Sequence, residues 1–197
     1  MARSDGEAAE RLRLFVAAEV PHGHRDEVAA RIEELKQRFS GARWTTPDNQ
    51  HVTLKFLGST PRELVPEIHD ACRSVARDHE PATLALSDVG SFPSARRSRV
   101  LWLGLDDPKG LLAGLASDLD RALAPLGFAT EERGFTPHLT LCRFKVPVKL
   151  PDGPPPLDVA DLAPFEVSEL VLFRSYLSPK GARYEALERF GLGSDGT

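Results

Sequence analysis

Apolar and polar positions along the chain follow two rhythms, one of strands and one of helices. Leu12 to Val20 (LRLFVAAEV) is a nearly continuous apolar run closed by Pro21, the pattern of a buried strand. Asp26 to Phe39 places Val28, Ile32, Leu35 and Phe39 at helical spacing. Gln50 to Leu57 reads as a strand ended by Gly58, and Pro61 to Asp78 as a helix whose apolar face is Leu64, Ile68, Cys72 and Val75. Two further strands are expected at Thr83 to Val89 and Val100 to Leu105, joined by the Gly/Pro/Ser/Arg-rich segment GSFPSARRSR. Pro108 to Leu123 reads as a helix with proline near its start, where the missing N–H costs little. His138 to Phe144 is strand-like. Lys145 to Pro164 carries six prolines and reads as an extended loop. Leu170 to Phe173 and Ala182 to Leu187 form a closing strand pair. Strands and helices thus recur in both halves, the signature of an α+β protein with mostly antiparallel sheets covered by helices.

Length and charge narrow the picture. A chain of 197 residues, 41% hydrophobic and 27% charged, fits one globular domain or two tightly joined lobes. The expected organisation is a disordered leader over residues 1–10, one domain over 11–190 and a flexible tail over 191–197. The formal charge of −4 argues against a general nucleic-acid coat, so any RNA contact must be local, such as a pocket gripping one end. Two cysteines, Cys72 and Cys142, suggest no disulfide framework, in keeping with a reducing cytoplasm. Neither a signal core nor a membrane-length apolar run is present, so no membrane partner is expected.

One internal echo changes the reading from fold to chemistry. His51-Val52-Thr53-Leu54 recurs as His138-Leu139-Thr140-Leu141, each copy at a strand start after a proline-containing loop. Side chains alternate along a strand, so His51 and Thr53 share one face, and His138 and Thr140 share another. Two such strands across a cleft offer one ligand two imidazoles and two hydroxyls. Imidazole titrates near neutrality, so one ring can accept a proton while the other donates one. The hydroxyls can donate to phosphate oxygens that gain charge in the transition state. Two alternatives compete with this reading: a pair of satisfied core histidines, and a shared metal site. The motifs' neighbours offer little to a metal beyond Cys142, so no metal or other cofactor is expected.

The segments RLFVAAEVP (13–21), RWTTPDNQHVTLKFLG (43–58), SFPSARRSRVLWLGL (91–105), FTPHLTLCRF (135–144) and LFRSYLSPKGARYEAL (172–187) together resemble the 2H phosphoesterase superfamily, and within it the RNA 2′,3′-cyclic phosphodiesterases or 2′-5′ RNA ligases. The resemblance implies a bilobal fold of two pseudo-symmetric antiparallel sheets with outer helices about a central cleft. It implies hydrolysis of RNA 2′,3′-cyclic phosphate ends, tRNA fragments among them, to 2′-phosphates, with a weak, reversible, ATP-independent 2′-5′ ligation. By the same resemblance His51 matches the proton donor and His138 the acceptor, while Thr53, Thr140 and Arg143 match phosphate-holding groups. Strict alternation puts Arg143 opposite His138, so its role requires the strand to end or bulge. Lys55 shares the alternation face of His51 and is a phosphate-facing candidate, against a solvated lysine. Phe56 is a base-stacking candidate, against core packing. Arg96, Arg97 and Arg99 form a basic loop, Arg183 and Tyr184 are candidate cleft residues, and Trp44 and Trp102 read as core. His22, His24, His69 and His79 receive no catalytic role. The protein is expected to act as a monomer. Open rivals are a 2H enzyme for small cyclic phosphates, a nucleotide-binding module without turnover, and a structural domain.

Overall fold

The computed structural model describes residues 10–179 and 181–193; the leader and tail expected at the two ends lie mostly outside them. Where the two do meet, Glu10 is held by Arg62, whose Nη1 donates to its carboxylate at 2.7 Å, and residues 191–193 continue the last strand into a turn.

Among the described residues, nine strands form two antiparallel sheets. The first contains β1 (Arg11–Glu19), β3 (His51–Pro61), β8 (Glu169–Ser178) and β9 (Gly181–Gly191), in the order β3-β1-β8-β9. The second contains β2 (Ala42–Trp44), β4 (Ala82–Phe92), β5 (Ser98–Asp106), β6 (His138–Val148) and β7 (Phe165–Val167), in the order β2-β6-β5-β4-β7. The helices are α1 (His22–Arg31), α2 (Glu33–Arg38), α3 (Val65–Arg77) and α4 (Leu111–Leu123). The two His-x-Thr motifs open β3 and β6, one in each sheet. The sheets are not built from separate halves of the chain. β2 precedes β3 yet pairs with β6, and β8 and β9 return from the C-terminal half to complete the first sheet.

Burial explains the sequence rhythms. Leu12, Leu14, Val16 and Ala18 of β1 enter a core shared by both sheets and by α3 and α4. Phe15 and Ala17, on the other face, join Val171, Phe173 and Tyr184 in a second small cluster. That two-sided burial is why β1 reads as unbroken apolar rather than alternating. Leu112, Leu115, Leu119 and Leu123 of α4 are fully buried, each contributing on the order of 1.5–3 kcal/mol. The Asp107 carboxylate accepts from the Leu111 and Leu112 amides at 2.9 and 2.7 Å, satisfying two free donors at the start of α4.

Several boundaries differ from expectation. The single helix expected over 26–39 is two, broken at Ile32, and it starts at His22, ahead of the expected Asp26. β2 and β7, three residues each, carry too little pattern to read. β8 and β9 are about twice the expected length. Cys72 and Cys142 are free and buried. Among the described residues no helix is long and apolar enough to cross a membrane.

Candidate active site

A local irregularity shared by β3 and β6 builds the site. Ala17 pairs with Thr53 and Val16 with Lys55, so Leu54 is an extra residue on β3. On β6, Trp102 pairs with Thr140 and Leu101 with Cys142, so Leu141 is extra in the same way. Each bulge falls directly after the motif threonine and inverts the alternation that follows. Two consecutive side chains then face the core: Leu54 and Lys55 on β3, Leu141 and Cys142 on β6, all buried. The next residues, Phe56 and Arg143, return to the face of the histidines. Arg143 therefore reaches the cleft because the strand bulges.

The same geometry corrects the expectation for Lys55. Its side chain is buried against α4, and its ammonium donates to the Asp120 carboxylate and to the Ala129 carbonyl. It does not share the face of His51 and is not a solvated lysine. Phe56, by contrast, is 52% exposed on the cleft side, not in the core, and Arg13 lies 4.6 Å over its ring.

A cavity of about 730 Å³ opens between the two sheets. His51, Thr53 and Phe56 of β3 and Thr140 and Arg143 of β6 line it together. His138 is outside the set that walls the cavity, but its charge and that of His51 oppose one another, so the two rings are within electrostatic reach. The cavity wall includes Arg13, Arg43 and Arg143 and, among the described residues, no aspartate or glutamate. An anion is the ligand such a wall favours.

Each histidine is set in an aromatic wall. The His51 ring stacks on Phe15 at 4.8 Å and meets the edge of Tyr184 at 5.1 Å. The His138 ring meets Phe92 edge-on at 5.0 Å and lies 5.9 Å from Trp102. His138 Nδ1 donates to the Thr136 carbonyl at 2.8 Å. A carbonyl only accepts, so Nδ1 carries a proton and, in the neutral ring, Nε2 keeps its lone pair. His51 Nε2 lies 3.1 Å from Thr53 Oγ1. Burial pushes His51 down from its ordinary 6.5 to about 4, and the charges of His138 and Arg143 act the same way. A hydrogen bond to the Asn49 backbone and the Glu19 carboxylate oppose that shift. Burial also lowers His138, with the Thr136 bond opposing it and the charge of Arg143 adding to it. Both rings are therefore predominantly neutral at neutral pH.

Other candidates sort clearly. Tyr184 lines the cavity, whereas the Arg183 guanidinium lies 4.3 Å over Tyr176, away from it. Trp44 lines the cavity, and Trp102, only partly buried, packs near His138. Arg96, Arg97 and Arg99 are exposed and stay out of the cavity wall. The remaining histidines are engaged elsewhere: His22 with Asp26, His24 with the Ala163 carbonyl, His69 against Phe190 and His79 with Asp118. Among the described residues no cluster of three or more His, Cys, Asp or Glu is placed to hold a metal. Sequence reasoning missed Arg13 and Arg43. Arg13 was findable, as a polar residue inside the apolar run of β1.

The family described as LigT like Phosphoesterase matches residues 19–102 and again 103–184, one match over each motif. A protein named RNA 2′,3′-cyclic phosphodiesterase from Methanothermobacter thermautotrophicus is 34% identical over 185 residues, covering 92% of this chain and 100% of the relative. One of the same name from Methanocaldococcus jannaschii is 31% identical over 182 residues, covering 91% and 100%. A crystal structure of a Thermus thermophilus protein superposes with a TM-score of 0.79 at 30% identity, covering 94% of this chain and 100% of that one. E. coli LigT complexed with 3′-AMP superposes with a TM-score of 0.72 at 30% identity, covering 93% and 99%. With a family match over both halves, a common fold and nearly the full length shared, the chain belongs to the LigT-like phosphoesterase family.

Proposed function

We propose that this protein hydrolyses 2′,3′-cyclic phosphate ends of RNA to 2′-phosphates by proton transfer between two histidines, with a weak, ATP-independent 2′-5′ joining as the related reaction at the same cleft. The observation that carries the reading is the matched pair of bulged His-x-Thr strands facing one cavity lined by arginines and, among the described residues, by no carboxylate. The shared name of full-length relatives supports the substrate class, and the 3′-AMP held by E. coli LigT supports a nucleotide-sized site.

Water attacks phosphorus in line with the bond to O3′. One imidazole takes the water's proton as the new P–O bond forms. The P–O3′ bond breaks, and the other imidazole protonates the departing O3′, leaving a 3′-hydroxyl and a 2′-phosphate. Thr53, Thr140 and Arg143 donate to the non-bridging oxygens, where negative charge grows. Burial holds His51 well below its ordinary value, so a donor role for it needs a phosphate anion beside the ring to raise its proton affinity.

The test is product identity. An oligonucleotide ending in a 2′,3′-cyclic phosphate, incubated with the protein in excess chelator, should yield a terminal 2′-phosphate. A 3′-phosphate product, or turnover only on restoring a divalent ion, contradicts the proposal.

A further inference from the structure

Resting on the function proposed above, we infer that Arg43 forms a second phosphate subsite, which grips the phosphate on the 5′ oxygen of the terminal nucleotide and makes the enzyme select RNA ends over isolated nucleosides.

Arg43 on the three-residue edge strand β2 is the direct cross-strand partner of Arg143 on β6. Residues opposed in this way point to the same face, and both arginines line the cavity. Like charges directly opposite one another are unfavourable. Neither guanidinium makes an ion pair or hydrogen bond to a protein group among the described residues, and no carboxylate lines the cavity to offset them. A fold that places two uncompensated guanidiniums side by side is shaped for bound anion.

The position is also built on the far side. The β8–β9 hairpin leans over β2: a Cβ on Gly181 would lie 3.2 Å from Arg43 Nη2. Gly181 has φ 142°, in the region that favours glycine, so the backbone abuts the guanidinium there. Asn49 Nδ2 donates to the Ala182 carbonyl at 2.8 Å and ties the hairpin to the segment that carries β2 into β3. Thr45 and Thr46 continue the cavity wall from Arg43 toward His51.

One cyclic phosphate does not occupy all of these donors. It carries a single charge and two non-bridging oxygens, which Thr53, Thr140 and Arg143 already serve. The Cβ atoms of directly opposed strand residues stand about 5 Å apart. Successive phosphates along a nucleotide chain are separated by a comparable distance. Arg43 is thus placed for the neighbouring phosphate, and its planar fork suits two phosphate oxygens at once.

The experiment compares adenosine 2′,3′-cyclic phosphate with the same compound carrying a 5′-phosphate. The readout is the ratio of the two kcat/KM values in each protein. The wild type should favour the 5′-phosphorylated substrate by about tenfold or more, the factor a charge-assisted hydrogen bond contributes. Arg43→Gln should bring the ratio close to one, and Arg43→Lys should keep part of it as a point charge. A wild-type ratio near one overturns the subsite while leaving the proposed function standing. So does an equal fall on both substrates in Arg43→Gln, which would place Arg43 on the scissile phosphate. Wild-type turnover of neither compound, with an oligonucleotide 2′,3′-cyclic phosphate still hydrolysed, also overturns the subsite alone; failure on all three substrates overturns both readings.

Discussion

Lys55 and Arg143 stand near the ends of matched motifs, yet one serves the core and the other the cleft. The Lys55 side chain is 6% exposed and its ammonium faces Asp120, whose side chain is 17% exposed and whose other oxygen accepts from the Glu131 amide at 2.9 Å. Removing one partner of a buried pair strands the other charge, at a cost of about 3–5 kcal/mol. Lys55→Met should therefore lower the melting temperature by on the order of 10 °C. The folded fraction should keep its kcat/KM, because the side chain does not reach the cavity. Arg143→Ala should behave in the opposite way, melting near wild type and losing roughly 10- to 150-fold in kcat/KM, the range for a hydrogen bond to a charged group. Thermal melts and kinetics on the two variants check this. A Lys55→Met protein with intact stability and lost activity would return Lys55 to the phosphate.

At the scale of elements, the alternation rule holds from each histidine to its threonine and fails one residue later. HVTLKF reads as a regular strand, and nothing in it announces that Leu54 is extra. HLTLCRF does break its alternation, at Cys142-Arg143, and the echo between the motifs was the one cue that Lys55 is turned inward as Cys142 is. Both motif strands and the α+β class were legible because periodicity and an exact repeat encode them. The long hairpin β8–β9 was underread because cleft-facing residues such as Ser175 and Tyr184 interrupt its apolar pattern. Arg43 was invisible because its strand is three residues long and its meaning comes from a partner one hundred positions away. Strand support of the site is itself testable. Gly90 on β4 pairs with Trp102 on β5, and a Cβ at Gly90 would sit 2.1 Å from the indole. Gly90→Ala must displace Trp102, which walls His138 together with Phe92. Overpacking of this kind costs about 1–3 kcal/mol. A displaced imidazole should lower kcat by on the order of 10²-fold. Wild-type kcat in a folded Gly90→Ala protein would mean Trp102 does not position His138.

Over the whole molecule, the cleft stores histidines that the folded state keeps neutral. Their folded proton affinities lie below the unfolded value of about 6.5, to about 4 for His51. Between those values the unfolded chain binds more protons, so stability falls as pH drops from about 6.5 toward 4 and is fully present above that window. For His51 alone the loss is about 3 kcal/mol. Denaturant titrations at pH 7 and pH 4.5 should show it, and His51→Asn should flatten the slope. An unchanged slope in that variant would mean the ring is not held neutral by burial. The central claim, however, concerns what the two rings do together. It is tested most directly by single-turnover hydrolysis of an oligonucleotide 2′,3′-cyclic phosphate by wild type, His51→Ala and His138→Ala under one set of conditions. The account predicts that each variant folds and loses at least about 10²-fold in rate, as expected for loss of a general acid or base. Retention of more than about a tenth of the wild-type rate by either variant, against that expected loss, would contradict it.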